Sequence, residues 1–519
     1  VTNLFNNREN EDEFPELMIN TRNLGFHRQS YHYKIIEFPQ TIEKELEQQT
    51  YYNNCYCNEY NAMIGRHFTP DLPEKSSIPA LTNIFEQEND KYCNSMREEL
   101  FKVGGYQLPN YWSIIKDTKG AKKKRYERAY QNIMNKRMIF GKNQSGVQFF
   151  VKIEKWPISK IERNKPPRGI QFRTYEYLLA LKRSVLPLVN LTKINKQFDH
   201  GPSFNPHVTF TKNNVPKVNA MNLKTAWDSF KNPVGICLDH TCWDGHYSEE
   251  LLEREHRRYA RISGQPQNSL LMRLCKKQIK NRGFTMGGIR YKVKGKRCSG
   301  EYTTSHGNGE SNYLMIRSVL LYIGVTEFII FVNGDDSVII CDVEDMEKIV
   351  ANLVLFKNFN MVTEIEKIAH IFEEITFCQS SPVNIDGEYT MIRKPMRVLD
   401  RIRYTSTDWS SRLSSFYVSL GLCELSINKG VPILQDLAVW LIRKGGCDRP
   451  LTTYKTDHYD ATATLAINEI VDSTRASFEL AFGISVYEQL SIEKTLRDDL
   501  NDHPDHIEQL LQKLNHKLY

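Results

Sequence analysis

The stretch FIIFVNGDDSVIIC, residues 328–341, decides how the rest of the chain is read. Two short apolar runs, Phe328 to Val332 and Val338 to Cys341, flank a Gly-Asp-Asp turn. Both are rich in β-branched and aromatic residues and too short for helices, which predicts a buried β-hairpin. Asn333 and Gly334 tolerate the positive φ that a tight hairpin turn demands. Asp335 and Asp336 then stand at the tip of two rigid strands, a platform able to hold a divalent metal at fixed geometry. Asp is also an ordinary turn former, so the reading needs partners elsewhere in the chain.

The nearest partner lies upstream. Residues 234–250, VGICLDHTCWDGHYSEE, run as an apolar strand ending in Asp239, followed by a second acid at Asp244. Ser248 with Glu249 and Glu250 then opens a helix. Between the two acidic stretches, KRCSGEYTTSHGNGESN (296–312) has the spacing S-G-x-x-x-T-x-x-x-N over Ser299, Gly300, Thr304 and Asn308. Ser299 and Gly300 read as a loop, whereas Thr304, Asn308 and Asn312 fall four apart and share one face of a helix that continues as YLMIRSVLLYIG. A polar row on a buried helix needs hydrogen-bonding partners in the protein or in a ligand.

Further upstream, FFVKIEKWPISKIERNKPPRGIQFR (149–173) interleaves Lys152, Lys155, Lys160, Lys165, Arg168 and Arg173 with apolar residues. Pro157, Pro166 and Pro167 predict stiff extended backbone rather than helix. Such a strand can line a channel wall and bind a triphosphate. KGAKKKRYER (119–128) is dense enough in cations to neutralise several phosphates, or to be a solvated helix face.

The 519 residues are 40% hydrophobic and 25% charged, with a net charge of +7 and a pI near 8.6. This is the composition of a soluble globular protein of several subdomains, and its mild basicity permits a nucleic-acid partner. No apolar run reaches the roughly 18 residues a membrane span needs. Eleven cysteines with no C-x-x-C pair favour a reducing compartment over a disulfide framework. Cys55, Cys57, His67 and Cys93 fit no standard zinc spacing. The chain opens on Val1 with no secretion signal behind it, the pattern of a processed product or a fragment. The first hundred residues read as polar and irregular, with an acidic patch from Glu9 to Glu13. After the hairpin, Glu344 to Phe356 reads as an amphipathic helix and MVTEIEKIAHIFEEITFCQSSP as strand, turn and strand. Beyond about residue 381 the pattern is helical, ending in a helix capped by Asp505 and Glu508.

Taken in order, the basic extended stretch, Asp239 with Asp244, the S-G-x-x-x-T-x-x-x-N helix and the Gly-Asp-Asp hairpin make a chain that resembles viral RNA-dependent RNA polymerases. The order matches their motifs F, A, B and C, and FCQ (377–379) is similar to motif E of the tombusvirus-like branch of positive-strand RNA viruses. KPPRGIQFR, GKRCSG and YERA point to the same branch. The resemblance covers about residues 110 to 400. EYTTSHGN stands where the branch typically has D-M-N-T-S-L-G-N.

The resemblance implies an α+β fold like a closed right hand, with fingers, a palm built on an antiparallel sheet, and a helical thumb. It divides the chain into an N-terminal extension bridging fingers and thumb (1–110), fingers (111–230), palm with motif A (231–265), a fingers insertion (266–298), palm with motifs B to E (299–380) and thumb (381–519). It further implies template-directed RNA synthesis from RNA. Two Mg²⁺ ions, or Mn²⁺, are expected on Asp239 and Asp335 with Asp336 peripheral. Lys155, Lys165, Arg168 and Arg173 are expected on the triphosphate. Asp244, Ser299 and Asn308, assisted by Thr304, are expected to read the 2′-hydroxyl. Lys367, the nearest candidate for motif D, is expected to protonate pyrophosphate. Template and nascent RNA, NTPs and a membrane-anchored viral replication protein are the implied partners, in the host cytoplasm at membrane-associated replication complexes. A reverse transcriptase would share the paired aspartates but carry a bulky aromatic near the 2′ position. A non-catalytic RNA-binding protein would explain the basic run but not the order of the motifs.

Overall fold

A computed structural model describes residues 16–19, 25–68, 77–135, 146–192, 209–212, 214–447, 449–451, 465–499 and 506–518. The acidic patch Glu9 to Glu13 and the capping residue Asp505 lie outside the described residues.

At the centre is a four-stranded antiparallel sheet in the order Ile329–Asn333, Asp336–Asp342, Pro233–His240, Thr363–Ala369. Strict alternation sends its side chains to two different cores. Val234, Ile236, Leu238, Ile330, Val332, Ile339 and Cys341 pack against helices. These are Pro79–Lys102, Tyr175–Leu191, Glu249–Ser263 and Thr304–Tyr322. Cys237, Ile329, Phe331, Val338 and Ile340 face a second cluster with Trp227, Phe372 and Phe377. Burying both faces explains why the hairpin strands read as continuous apolar runs, each large side chain contributing about 1.5–3 kcal/mol.

A five-stranded sheet joins distant parts of the chain in the order Glu16–Ile19, Ile289–Lys294, Lys280–Thr285, Val147–Val151, Gly169–Phe172. Its only parallel pair among the described strands is Lys280–Thr285 with Val147–Val151. The basic stretch 149–173 is extended as its prolines require, except that Ile158–Glu162 makes a short helix between Pro157 and the next turn. Pro157 stands before that helix's first turn, where a missing N–H costs nothing.

The described part of the first hundred residues is more ordered than its polarity suggests. Pro79–Lys102 is a 24-residue helix that buries Leu81, Phe85, Glu88, Asn89, Tyr92, Cys93, Met96 and Leu100. Its polar core positions are paired: Arg317 Nε reaches Glu88 Oε2 at 2.5 Å, and Tyr92 donates to Glu310 at 2.6 Å. Earlier segments run to the far end of the chain, where Tyr33–Lys34 pairs with Tyr404–Thr405 and Gln49–Tyr51 pairs with Lys155–Pro157. Beyond the two-stranded ribbon Ser380–Ile385 and Glu388–Arg393 the described chain is mainly helical, and helices Leu413–Ile427 and Leu434–Gly445 pack together. The expected helix from Glu344 ends early, at Ala351, and a tighter 3₁₀ turn, Leu353–Phe359, follows. No helix among the described residues is long and apolar enough to cross a membrane.

Candidate active site

The hairpin turn consists of Gly334 and Asp335, with Gly334 at φ 71°. Asn333 is paired with Asp336 as the last rung of the ladder, so it needs no positive φ. Instead its Nδ2 lies 3.2 Å from Cys378 Sγ, tying the FCQ turn to the hairpin. Gln379 of that turn accepts a hydrogen bond from Arg397.

Asp239 sits one residue from the end of the neighbouring strand, opposite Glu364. Because Ser337 pairs with Leu238, the next residues at this end of the sheet are Asp336 and Asp239. The strand then stops, Cys242 takes a left-handed backbone at φ 50°, and one helical turn, Trp243–His246, follows. Buried Trp243 anchors that turn edge-on against His240, with ring centroids 4.8 Å apart. The reversal carries Asp244 to the start of the Thr304–Tyr322 helix, where Asn308 Nδ2 lies 3.5 Å from its Oδ1.

Four carboxylates thus gather at one end of the sheet. Asp335 reaches solvent at the turn, and the protein surrounding it, followed by Asp239, raises its carboxyl. Enclosure, then Asp335, Glu366 and Asp239, push Asp336 up to about 7, against a hydrogen bond from the Cys378 N–H. Burial and Asp335 likewise lift Asp244 to about 7, opposed by Arg297, Asn308 and Arg168. Such a cluster favours a cation in its midst.

Among the described residues, no three His, Cys, Asp or Glu side chains form a cage for an ion by themselves. The donors are all oxygen and only partial in number, which suits a divalent ion completed by water and substrate phosphate. Cys55, Cys57, His67 and Cys93 do not gather. Cys93 is buried in the 79–102 helix, whereas the buried His67 ring meets Gln171.

Of the expected triphosphate contacts, Arg168 faces the carboxylates: Asp335 and Asp244 both act on its charge. Its guanidinium is held by a two-point bond to Glu154, with Nε 2.6 Å from Oε1. Lys165 is exposed, in the same loop. Lys155 turns toward the helix Pro395–Ile402 and donates to the Arg401 carbonyl at 2.6 Å. Arg173 does not join them. It is 1% exposed, ion-paired with Glu301 and bonded to Asn281, so it locks the 296–303 loop to the basic strand instead of facing a ligand.

Ser299 and Gly300 form a turn against the strand Gly169–Phe172. The Gly300 N–H donates to the Gln171 carbonyl at 2.7 Å, and a Cβ there would lie 2.5 Å from the same oxygen. Thr304 Oγ1 closes the loop on the Cys298 carbonyl at 3.0 Å. Lys367 lies on the outer strand, paired with Glu374 at 3.2 Å.

Several supporting residues escape a reading of the sequence. Arg297 Nε donates to Asn308 Oδ1 at 2.8 Å, and its N–H donates to the Asp244 carbonyl at 2.9 Å. The same guanidinium forms a fully buried ion pair with Glu255 and lies 4.1 Å from the Tyr247 ring centroid. Burial alone would raise Glu255, but Arg297 overrides it and holds the carboxyl at about 2. The basic residue directly before Cys298-Ser299-Gly300 was the available signal.

Comparison with known proteins places this geometry in a family. The description "Viral RNA dependent RNA polymerase" matches residues 34–499. The RNA-directed RNA polymerase of maize chlorotic mottle virus is 30% identical over 85% of this chain and 46% of its own length. That of tobacco necrosis virus strain A is 32% identical over 65% of this chain and 47% of its own. The polymerase of melon necrotic spot virus is 27% identical over 87% and 57%, respectively. The chain therefore spans about half the length of the curated relatives it matches. With nearly the whole chain matched and the acidic hairpin, strand-end aspartate and polar helix in the family's order, it belongs to the viral RNA-dependent RNA polymerases.

Proposed function

We propose that this chain carries out template-directed RNA synthesis from an RNA template, using NTPs. The observation that carries the reading is the gathering of Asp239, Asp244, Asp335 and Asp336 at one end of the central sheet, with Arg168 facing them. Two divalent cations, Mg²⁺ or in its place Mn²⁺, would be held by Asp239 and Asp335 with Asp336 peripheral, and when bound would activate the attacking 3′-hydroxyl and neutralise the leaving pyrophosphate. Arg168 and Lys165 would grip the triphosphate, the Glu154 pair keeping the Arg168 fork oriented. Asp244 and Asn308, braced by Arg297, offer a hydrogen-bonding pair to a 2′-hydroxyl, with Ser299 and Thr304 shaping the loop beside them. A deoxyribose would leave those groups unpaired. Lys367 would give a proton to pyrophosphate after leaving Glu374.

We assign residues 111–230 and 266–298 to fingers, 231–265 and 299–380 to palm, and 381–519 to thumb, in the arrangement of a closed right hand. The five-stranded sheet that unites 147–172 with 280–294 supports the fingers assignment. The pairing of 33–34 with 404–405 and of 49–51 with 155–157 supports a bridge formed by residues 1–110. The family resemblance supports work in the host cytoplasm on nascent and template RNA, held at membranes by a membrane-anchored viral replication protein.

The test is incorporation on a defined RNA template, with and without primer, comparing rNTPs with dNTPs and Mg²⁺ with Mn²⁺. Asp335→Asn is expected to lower incorporation by at least ~10³-fold, about 4 kcal/mol of transition-state stabilisation, while RNA binding stays within about twofold. Retained synthesis by that variant overturns the assignment.

A further inference from the structure

One member of the polar helical row has no place in the chemistry above. Asn312, one turn beyond Asn308, is completely buried. Its Nδ2 donates to the carbonyls of both turn residues, Gly334 at 3.2 Å and Asp335 at 3.1 Å. Carbonyls only accept, so the amide orientation is determined and Oδ1 must receive a hydrogen. It does so from His240 Nε2 at 3.0 Å. His240 directly follows Asp239, is buried, and pairs with Thr363 across the sheet. With the proton on Nε2, the ring Nδ1 is an acceptor, and the Thr363 hydroxyl stands 2.9 Å from it. The hydrogens therefore run one way, from Thr363 through His240 and Asn312 to the turn, and no polar atom of the Asn312 amide or the His240 ring is left unmatched.

This chain of bonds connects the strand bearing Asp239 with the turn bearing Asp335, using side chains that touch neither carboxylate. We infer that Asn312 and His240 are positioning residues that set the separation of Asp239 and Asp335 for divalent-cation binding. The inference rests on the cation role proposed for those two aspartates. Outer partners that orient carboxylate-bearing segments typically govern metal affinity by ten- to a hundredfold. A buried amide that merely filled the core would govern stability instead.

The experiment is titration of the intact protein with Mn²⁺, following free Mn²⁺ by electron paramagnetic resonance, which needs no turnover. Asn312→Leu is near-isosteric and removes both sets of bonds; it is expected to weaken Mn²⁺ binding by roughly ten- to a hundredfold. Thr363→Val removes only the far end of the chain at a half-buried position, keeping the test valid if Asn312→Leu misfolds, and is expected to weaken binding by about threefold or more. In incorporation assays, the Mg²⁺ concentration for half-maximal rate should rise in both variants while KM for NTP stays within about twofold. Wild-type Mn²⁺ binding that is abolished by Asp335→Asn but unchanged in both bridge variants overturns this inference alone. A wild type that binds no Mn²⁺ overturns the cation reading and this inference with it.

Discussion

Asp336 is flanked by Asp335 and Asp239 at the sheet end and by Glu366 on the outer strand, and enclosure with this repulsion lifts its carboxyl to about 7. Enclosure and Asp239 raise Asp335 as well. A cation needs these groups ionised, so binding near neutral pH must expel protons. The sign follows: below pH 7 the protonated form competes, and apparent affinity falls; above it, affinity levels off. Calorimetric titration of Mn²⁺ at pH 7 in buffers of different ionisation enthalpy is expected to detect release of about half a proton or more per site. Binding heats independent of buffer would sink this account. At this scale the sequence shows where a residue stands, Asp239 near a strand end, Asp335 in a turn and Asn308 on a helix. It failed for Arg173, because charge is visible in a sequence and a partner is not: Glu301 lies 128 residues away. Arg297 went unread for the same reason, its ion-pair partner Glu255 lying 42 residues upstream.

Elements with a long apolar run were legible in the sequence, and a helix without one was not. The helix Thr304–Tyr322 and the hairpin follow from their apolar patterns. Pro79–Lys102 was missed because Glu88 and Asn89 interrupt its buried face, and only their partners make them core residues. A similar buried charge sits in helix Leu434–Gly445. Asp436 is raised to about 6, by burial first and then by Glu493, despite Arg497 at 3.3 Å. A carboxyl whose folded value is raised contributes stability below its ordinary value of 3.8, and that contribution is lost as pH rises through about 6. Asp436→Asn removes the titration. It is expected to stabilise the protein by about 1–2 kcal/mol at pH 8, with the advantage shrinking as pH falls from 6 toward 4. Urea unfolding at pH 5 and pH 8 checks this, and equal shifts at both values would remove burial of a charged Asp436 as the cause.

Across the whole molecule, the N-terminal segment acts as a strap, and a buried guanidinium is one of its anchors, beside Tyr417 donating to the Ile35 carbonyl and the Glu47 N–H donating to Asp400. Arg403 is 1% exposed; it pairs with Glu43 at 2.5 Å and donates to the Glu47 carbonyl at 2.7 Å. Its own carbonyl accepts the N–H groups of Ile35 and Ile36, while Ile36, Phe38, Ile42 and Leu46 complete the core of the C-terminal helices. The same strap continues into the pairing of Gln49–Tyr51 with Lys155–Pro157, so it spans from the C-terminal helices to the basic strands that carry Arg168 onward. Nothing in local sequence patterning predicts contacts separated by 360 residues, which is why this segment read as irregular. Replacing Arg403 with Met keeps the apolar stem but leaves the Glu47 carbonyl without this donor and Glu43 with Lys34 at 2.8 Å, a loss of about 1–3 kcal/mol. Because the strap and the basic strands are hydrogen-bonded in series, the loss should propagate. Hydrogen exchange in Arg403→Met is expected to accelerate across 33–51 and 155–172, while the central sheet at 233–240 and 329–342 keeps its protection. If exchange accelerates in the strap alone, the two ends of the molecule are not mechanically joined through it, and KM for NTP should then match the wild type.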